Sequence, residues 1–333
     1  MFRARMHRLS ATATSDLLGS STAKTSVERI TWGEGFAFSA YGVRIGVQVD
    51  DSSVLELLPE YLPHGWKRSA STVVDRTYSI CVARGRKGQG ITEYLEGKPA
   101  ARADSNELDV EVTERTPDLE QENPGVRAAL YHLYRGGCGL AHTNSLYELL
   151  DAFESDLHFY VATWARRLVF VHAGVVGWQG RALLLPGPSR SGKTRLVAAL
   201  VRAGAIYYSD EYAAIDELGR VHPYLKPLSI RDESGVRRKR CPVEDLGGSC
   251  GTKALPGGLI AFTRHSLDAI WKPHPLSPGR AMLGLLANTV SVRRKPEAAM
   301  TAVRWVCVEA PALEGPRGEA EDVARWLLAQ AER

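Results

Sequence analysis

The spacing of apolar and polar positions is most regular between residues 145 and 167, where apolar side chains recur every three or four positions. This spacing is typical of one face of an amphipathic α-helix. Ser145, followed three positions later by Glu148, is a capping-box pattern that predicts where the helix begins. Arg166 and Arg167 come last, where the helix dipole favours cations. The apolar positions of this face are Leu146, Leu149, Leu150, Phe153, Leu157, Val161 and Trp164.

Before this helix the chain shows short β-like runs separated by turns. Residues 36–49 have the pattern of a hairpin, with Tyr41 and Gly42 at its turn. We therefore predict a small α+β domain over residues 26–142, without a chemical motif and of unknown role. The helix at residues 143–167 would then bridge this domain to the rest of the chain.

After the helix, the pattern predicts an α/β domain. Residues 168–176 and 181–186 are apolar runs joined by a glycine-rich turn, which predicts an antiparallel hairpin. Residues 194–203 have helical spacing and stop at Gly204, a natural C-cap. Further short apolar runs follow, so residues 168–333 are predicted to form one domain with a mixed sheet.

Between the second apolar run and the helix lies a loop that fits the pattern G-x-x-x-x-G-K-[ST] at every fixed position. Its glycines would let backbone N–H groups turn inward around phosphate oxygens. Lys193 would reach the β- and γ-phosphates, and the Thr194 hydroxyl would ligate Mg²⁺. The loop thus predicts binding of ATP with Mg²⁺, and a glycine-serine turn that binds nothing is the alternative. The predicted nucleotide-binding residues are Gly187, Pro188, Ser189, Arg190, Ser191, Gly192, Lys193 and Thr194.

Composition narrows the class of protein. The chain has 333 residues with 44% hydrophobic content, enough for a core and for about two domains. The net charge of +4 is mild, and the basic clusters at 237–240 and 293–295 lack interleaved aromatic residues, so no nucleic-acid partner is expected. Five cysteines without metal-ligand spacing predict a reducing cytoplasm. No apolar run is long enough for a membrane helix. Residues 1–25 are predicted to be a disordered tail, although a transit peptide would share their composition.

In their order and spacing, these features resemble the catalytic domain of HPr kinase/phosphorylase, a family of P-loop kinases similar in fold to PEP carboxykinases. The likeness covers about residues 165–330 and has three parts: a His-Gly element at 172–174, the phosphate loop, and residues 202–211, which resemble the family's R-G-x-x-x-x-D-D stretch. One departure is Glu211, which stands where the family has a second Asp. The other is that the signature associated with HPr recognition and phosphorolysis is not evident, so HPr itself is not the expected substrate.

The resemblance implies roles for three residues outside the loop. Asp210 would be the base that orients or accepts the acceptor's proton, and Glu211 would assist with Mg²⁺ directly or through water. His172 would lie near the γ-phosphate, with Lys193 completing the catalytic set. From the residues alone, the acidic pair could equally be a solvated strand-end turn, and His172 a core histidine. Lys226 and Arg231 are expected in surface ion pairs, with phosphate or acceptor binding as the alternative.

The expected function is an ATP-dependent kinase that transfers the γ-phosphoryl group to a hydroxyl, with a serine side chain of a protein or peptide as one candidate acceptor. Two alternatives stay open: an ATP-binding regulatory module with slow ATPase activity, and a PEP-carboxykinase-like phosphotransferase acting on a small molecule. The expected partners are ATP and this unknown acceptor, without a membrane or nucleic acid. The family's kinases assemble as hexamers, so the resemblance leaves a homo-oligomer open.

Overall fold

A computed structural model describes residues 28–29, 34–84, 129–189, 191–231 and 238–332. The predicted tail at 1–25 and the stretch 85–128 lie outside these ranges. The described chain is mixed α/β, and its two large sheets each contain parallel and antiparallel strand pairs. No helix in the described ranges is long and apolar enough to cross a membrane.

The first sheet has six strands in the order β4-β2-β3-β6-β7-β8, and β1 pairs with β5 beside it. The predicted hairpin is confirmed, because β2 and β3 are antiparallel and join at Tyr41 and Gly42, both with positive φ. The strands of this unit are β1 (Glu28–Arg29), β2 (Glu34–Ala40), β3 (Val43–Val49), β4 (Lys67–Ser69), β5 (Val73–Val74), β6 (Arg76–Arg84), β7 (Ala129–Arg135) and β8 (Cys138–Thr143). Its helices are α1 (Ser52–Leu57) and α2 (Leu146–Trp164), and a 3₁₀ helix spans Leu58–Tyr61.

The long amphipathic helix is confirmed as α2, and its N-cap is the predicted one. The Ser145 side chain accepts a hydrogen bond from the backbone N–H of Glu148. Its apolar face, including Leu149, Phe153 and Leu157, is buried in the core of the first sheet. The helix is therefore the packing layer of the first unit as well as the connection to the second.

The second sheet has the order β13-β12-β9-β10-β16-β18-β17, with β11 also pairing with β9. Its strands are β9 (Val169–Trp178), β10 (Arg181–Pro186), β11 (Ile206–Ser209), β12 (Tyr212–Ile215), β13 (Val221–His222), β16 (Gly257–His265), β17 (His274–Leu276) and β18 (Ala312–Arg317). A separate hairpin is formed by β14 (Leu228–Arg231) and β15 (Arg238–Cys241), and a 3₁₀ helix spans Val243–Leu246. The helices are α3 (Lys193–Arg202), α4 (Pro278–Ala287), α5 (Pro296–Glu309) and α6 (Ala320–Ala331).

The predicted hairpin of this half is confirmed, because β9 and β10 are antiparallel neighbours. On its other side β10 pairs with β16 in parallel, and β16 pairs with β18 in parallel. The two faces of the sheet bury separate cores. One core contains α3 and α6, and the other contains α4 and α5. The loop after β10 therefore lies at the end of a central strand, in a sheet whose two faces are both covered.

The two units meet through buried polar and aromatic groups. His158 of α2 is 1% exposed. Its Nδ1 lies 2.8 Å from the Tyr224 hydroxyl and its Nε2 lies 3.2 Å from the Tyr61 carbonyl oxygen. Nearby, Arg240 of β15 donates to the Glu154 carboxylate of α2 at 2.9 Å. The hairpin β14–β15 is therefore tied to the first unit by a charged contact.

The buried histidine makes a testable prediction about stability. Burial, with Lys226 adding to it, lowers the pKa of His158 from 6.5 to about 4. Between these values the unfolded chain binds a proton that the folded chain does not, so stability present above pH 6.5 is lost as the pH falls, by at most about 1.4 kcal/mol per pH unit. Chemical denaturation between pH 7 and pH 4.5 should show a slope that contains this contribution, together with that of other buried groups such as His172. The dependence of stability on pH should have a shallower slope in His158→Gln than in the wild type. An equal slope would contradict a lowered pKa for His158.

Candidate functional site

The phosphate loop connects the end of β10 to the start of α3, the setting that the sequence predicts. Gly192 at the helix N-cap has φ 88°, in the left-handed region that glycine tolerates. A Cβ placed there would also overlap Nη2 of Arg317, so the guanidinium would have to move. The loop backbone therefore requires glycine at this position. Arg190 lies outside the described residues.

Lys193 is folded back over the loop. It is 7% exposed, and its Nζ donates to the carbonyl oxygens of Gly187 and Pro188 at 2.8 and 2.7 Å. Burial lowers its pKa to about 8, with Asp210 and Glu211 opposing the shift. The ammonium is thus held at the loop by neutral acceptors that an anionic ligand can replace.

Asp210 follows β11 and lies against the first turn of α3. Its Oδ2 accepts a hydrogen bond from Thr194 Oγ1 at 3.2 Å and one from Ser229 N at 3.4 Å. Its Oδ1 lies 3.2 Å from the Tyr207 hydroxyl. The residue is 6% exposed, and burial raises its pKa, with Lys226 opposing. The structure therefore brings Asp210 to the phosphate loop, as the resemblance implies.

Glu211, the second member of the acidic pair, contacts a buried cation. Its carboxylate forms an ion pair with Lys226 Nζ, and both side chains are largely buried. Burial alone would raise its pKa, but Lys226, followed by His158, lowers it below the ordinary value. The carboxylate in contact with Thr194 is that of Asp210, and the carboxylate of Glu211 lies against Lys226. The structure brings Lys226 into the site rather than leaving it in a surface ion pair.

His172 lies on β9 at the level of the loop. Its carbonyl oxygen accepts from Gly187 N at 3.2 Å, and it pairs in register with Tyr212. Burial, with Lys193 adding to it, lowers the pKa of His172 to about 4. The imidazole is therefore neutral at neutral pH. The side chain of Arg231, which the sequence also suggests for this site, lies outside the described part of the chain.

Arg317, at the end of β18, also contacts the loop, and sequence reasoning missed it. Its Nη2 donates to Gly192 O at 2.8 Å, although the two residues are 125 positions apart. The side chain is 1% exposed, burial lowers its pKa, and its Nε has no partner within the described ranges. The buried Oγ of Ser191 in the loop also has no hydrogen-bond partner within the described ranges. No local sequence pattern marks Arg317, since its place depends on the pairing of β18 with β16.

The donor set can be tested against Mg²⁺. Among the described residues there is no group of three or more His, Cys, Asp or Glu side chains able to hold a metal ion. A magnesium ion that is bound through phosphates needs only one or two carboxylates, because water and phosphate oxygens fill its other positions. The oxygens of Thr194 and Asp210 lie 3.2 Å apart and are hard ligands of the required kind. The site therefore fits Mg²⁺ only together with a phosphate ligand.

In comparisons with known proteins, no family model matches this chain, and no curated protein matches it significantly. The likeness to HPr kinases accordingly depends on the motifs and their spacing alone.

Proposed function

We propose that this protein is an ATP-dependent kinase with a P-loop domain of the HPr-kinase type, which transfers the γ-phosphoryl group to a hydroxyl acceptor. The observation that carries the proposal is the contact between Thr194 Oγ1 and Asp210 Oδ2 at 3.2 Å. It joins a phosphate-binding loop to a buried carboxylate. Phosphate binding alone would not require a carboxylate at this position, whereas phosphoryl transfer uses one to hold Mg²⁺ or to orient the acceptor.

The loop residues would hold the phosphates. Backbone N–H groups at the start of α3 and the positive end of its dipole favour anions. The Ser191 hydroxyl is buried beside them and has no hydrogen-bond partner among the residues that the structure describes, so it could donate to a phosphate. Lys193 would exchange its two carbonyl acceptors for phosphate oxygens. Mg²⁺, which would be held by Thr194 and a carboxylate of the acidic pair Asp210–Glu211, would neutralise charge on the transferred group.

The acceptor side would be formed by the acidic pair and its neighbours. Because burial raises the pKa of Asp210, its carboxylate has more affinity for a proton than an exposed one. We propose that Asp210 orients the acceptor hydroxyl and takes its proton. Glu211, kept ionised by Lys226, would assist with Mg²⁺ through water or hold Lys226 toward the phosphates.

A transfer assay tests the proposal. The protein is incubated with γ-labelled ATP, Mg²⁺ and a lysate of its native cells, and the label is followed in macromolecules, in small molecules and in free phosphate. We expect the label in an acid-stable phosphate ester that is absent with Lys193→Met. Label in a small molecule would favour the PEP-carboxykinase-like alternative. Label found only as free phosphate would contradict a kinase and favour the slow ATPase module.

We also propose a cytoplasmic location. All five cysteines are free thiols in the structure, which is the state that a reducing compartment maintains. ATP, the proposed substrate, is abundant there. Fractionation of native cells with an antibody to this protein tests the location, and recovery in a secreted or membrane fraction would contradict it.

A further inference from the structure

The two flanks of the phosphate loop differ in chemistry. On the β9 flank lie the acidic pair and Lys226. On the other flank lie the C-terminal ends of β16 and β18, which run parallel to β10. His265 N, at the end of β16, donates to Ser191 O at 3.4 Å, and Arg317 at the end of β18 contacts the loop as described above. The second flank is therefore attached directly to the phosphate-binding backbone.

The chain leaving β16 exposes two large aliphatic side chains on this second flank. Leu267 is 82% exposed and Ile270 is 73% exposed, the highest values among the large hydrophobic residues that the structure describes. Between them, Asp268 has a left-handed backbone with φ 59°, a conformation that is costly for a residue other than glycine. Leu267 follows His265 by two residues, so its backbone lies within about 7 Å of the loop contact.

The direction in which a bound triphosphate runs along the loop decides on which flank its nucleoside would lie. If the transferred phosphoryl group faces Asp210, the nucleoside must lie at the opposite end of the phosphate chain. The β9 flank is filled by charged groups and by the contact of Arg240 with Glu154 of the first unit. The second flank presents two exposed apolar side chains, and their burial against the face of an aromatic ring would be favourable.

We propose that Leu267 and Ile270 form the subsite for the base of a purine nucleoside triphosphate whose phosphates bind in the loop 187–194. The inference rests on the proposed function, because a base can occupy this subsite only while the loop holds the phosphates. The two side chains contribute affinity for the nucleoside and take no part in the transfer.

The test separates binding of the base from binding of the phosphates. Dissociation constants for ATP and for inorganic tripolyphosphate, both with Mg²⁺, are measured by calorimetry. The wild-type protein should bind ATP more tightly than it binds tripolyphosphate. The double variant Leu267→Ser/Ile270→Ser should bind ATP about tenfold more weakly, which corresponds to a loss of roughly 1.4 kcal/mol of apolar burial. Tripolyphosphate binding should not change. Leu267→Phe, which enlarges the apolar surface, should tighten ATP binding alone.

A matched control removes two other exposed aliphatic side chains. Leu283 of α4 and Val308 of α5 are 69% and 65% exposed and belong to the helices on one face of the sheet. Leu283→Ser/Val308→Ser should bind both ligands as the wild type does. Because all four side chains are exposed, none of these variants should lose much stability, and unfolding measurements check this.

Several outcomes would overturn the subsite while leaving the kinase proposal intact. One is unchanged ATP affinity in Leu267→Ser/Ile270→Ser, and another is an equal loss of affinity for ATP and tripolyphosphate. A third is a fall in the mass of the protein in solution for this variant, which would assign the two side chains to an interface between copies of the chain. Failure of the wild-type protein to bind either ligand would overturn the proposed function and the subsite together.

Discussion

Asp210→Asn is expected to lower the rate constant of phosphoryl transfer by about 10²- to 10⁴-fold, the usual contribution of a general base. The affinity for ATP should be nearly unchanged, because in the proposed site the loop, and not this carboxylate, would hold the phosphates. The fold should tolerate the amide, since the oxygen of Asn can still accept from Ser229 N. Single-turnover transfer and equilibrium ATP binding, measured on the same preparation, check the two halves of the prediction.

The magnesium dependence distinguishes the two tasks that this carboxylate could perform. If Asp210 is the base, the slow rate of Asp210→Asn should persist at saturating Mg²⁺. Recovery of the rate at high Mg²⁺ would contradict this role and make Asp210 a metal-binding residue, as its contact with Thr194 allows. Asp245→Asn, which changes an exposed acidic residue of the same domain, is the control and should transfer at the wild-type rate.

Lys193→Met is expected to weaken binding of ATP and of tripolyphosphate by about 10- to 100-fold. The ammonium would make charge-assisted hydrogen bonds to phosphate oxygens worth about 1.5–3 kcal/mol, and each 1.4 kcal/mol is tenfold in affinity. The wild-type protein should also lose ATP affinity as the pH rises through 8. Burial lowers the pKa of the free ammonium to about 8, so above this pH a proton must be taken up for binding.

Calorimetric titrations at pH 7, 8 and 9 measure both effects. Lys193→Met should lack this steep loss of affinity above pH 8, because methionine carries no proton to lose. Lys253→Met, which removes an exposed lysine elsewhere in the domain, should behave as the wild type does. Affinity in Lys193→Met within a factor of a few of the wild-type value would show that the loop does not hold the phosphates.

The elements that the sequence predicts correctly are formed by neighbouring residues. The N-cap of α2 needs only Ser145 and the residue three positions later, and the hairpin β9–β10 needs only two apolar runs and a glycine turn. The strand, loop and helix around Gly187 and Lys193 are also consecutive, so their local pattern is sufficient. These neighbouring residues do not specify the surface against which α2 packs. In the structure that surface is the first sheet.

The division of contacts in the site could not be predicted in the same way. The sequence places Asp210 and Glu211 side by side but does not say which carboxylate faces Thr194. That choice depends on Lys226, which enters the site from the segment between β13 and β14 and pairs with Glu211. A difference of one position reverses the direction in which a side chain points near a strand end, so a small shift of the backbone would have exchanged the two carboxylates.

By itself, the sequence determined the phosphate loop, the helix that follows it and the acidic pair beyond, because each is specified by a few adjacent residues with fixed backbone requirements. The tertiary structure alone decided that Asp210 contacts Thr194, that Lys226 neutralises Glu211, and that Arg317 holds the carbonyl of Gly192. It also decided that Leu267 and Ile270 lie exposed in the segment that follows β16. These contacts join residues far apart along the chain, and they depend on the order in which β9, β10, β16 and β18 pair, which no local pattern of side chains contains.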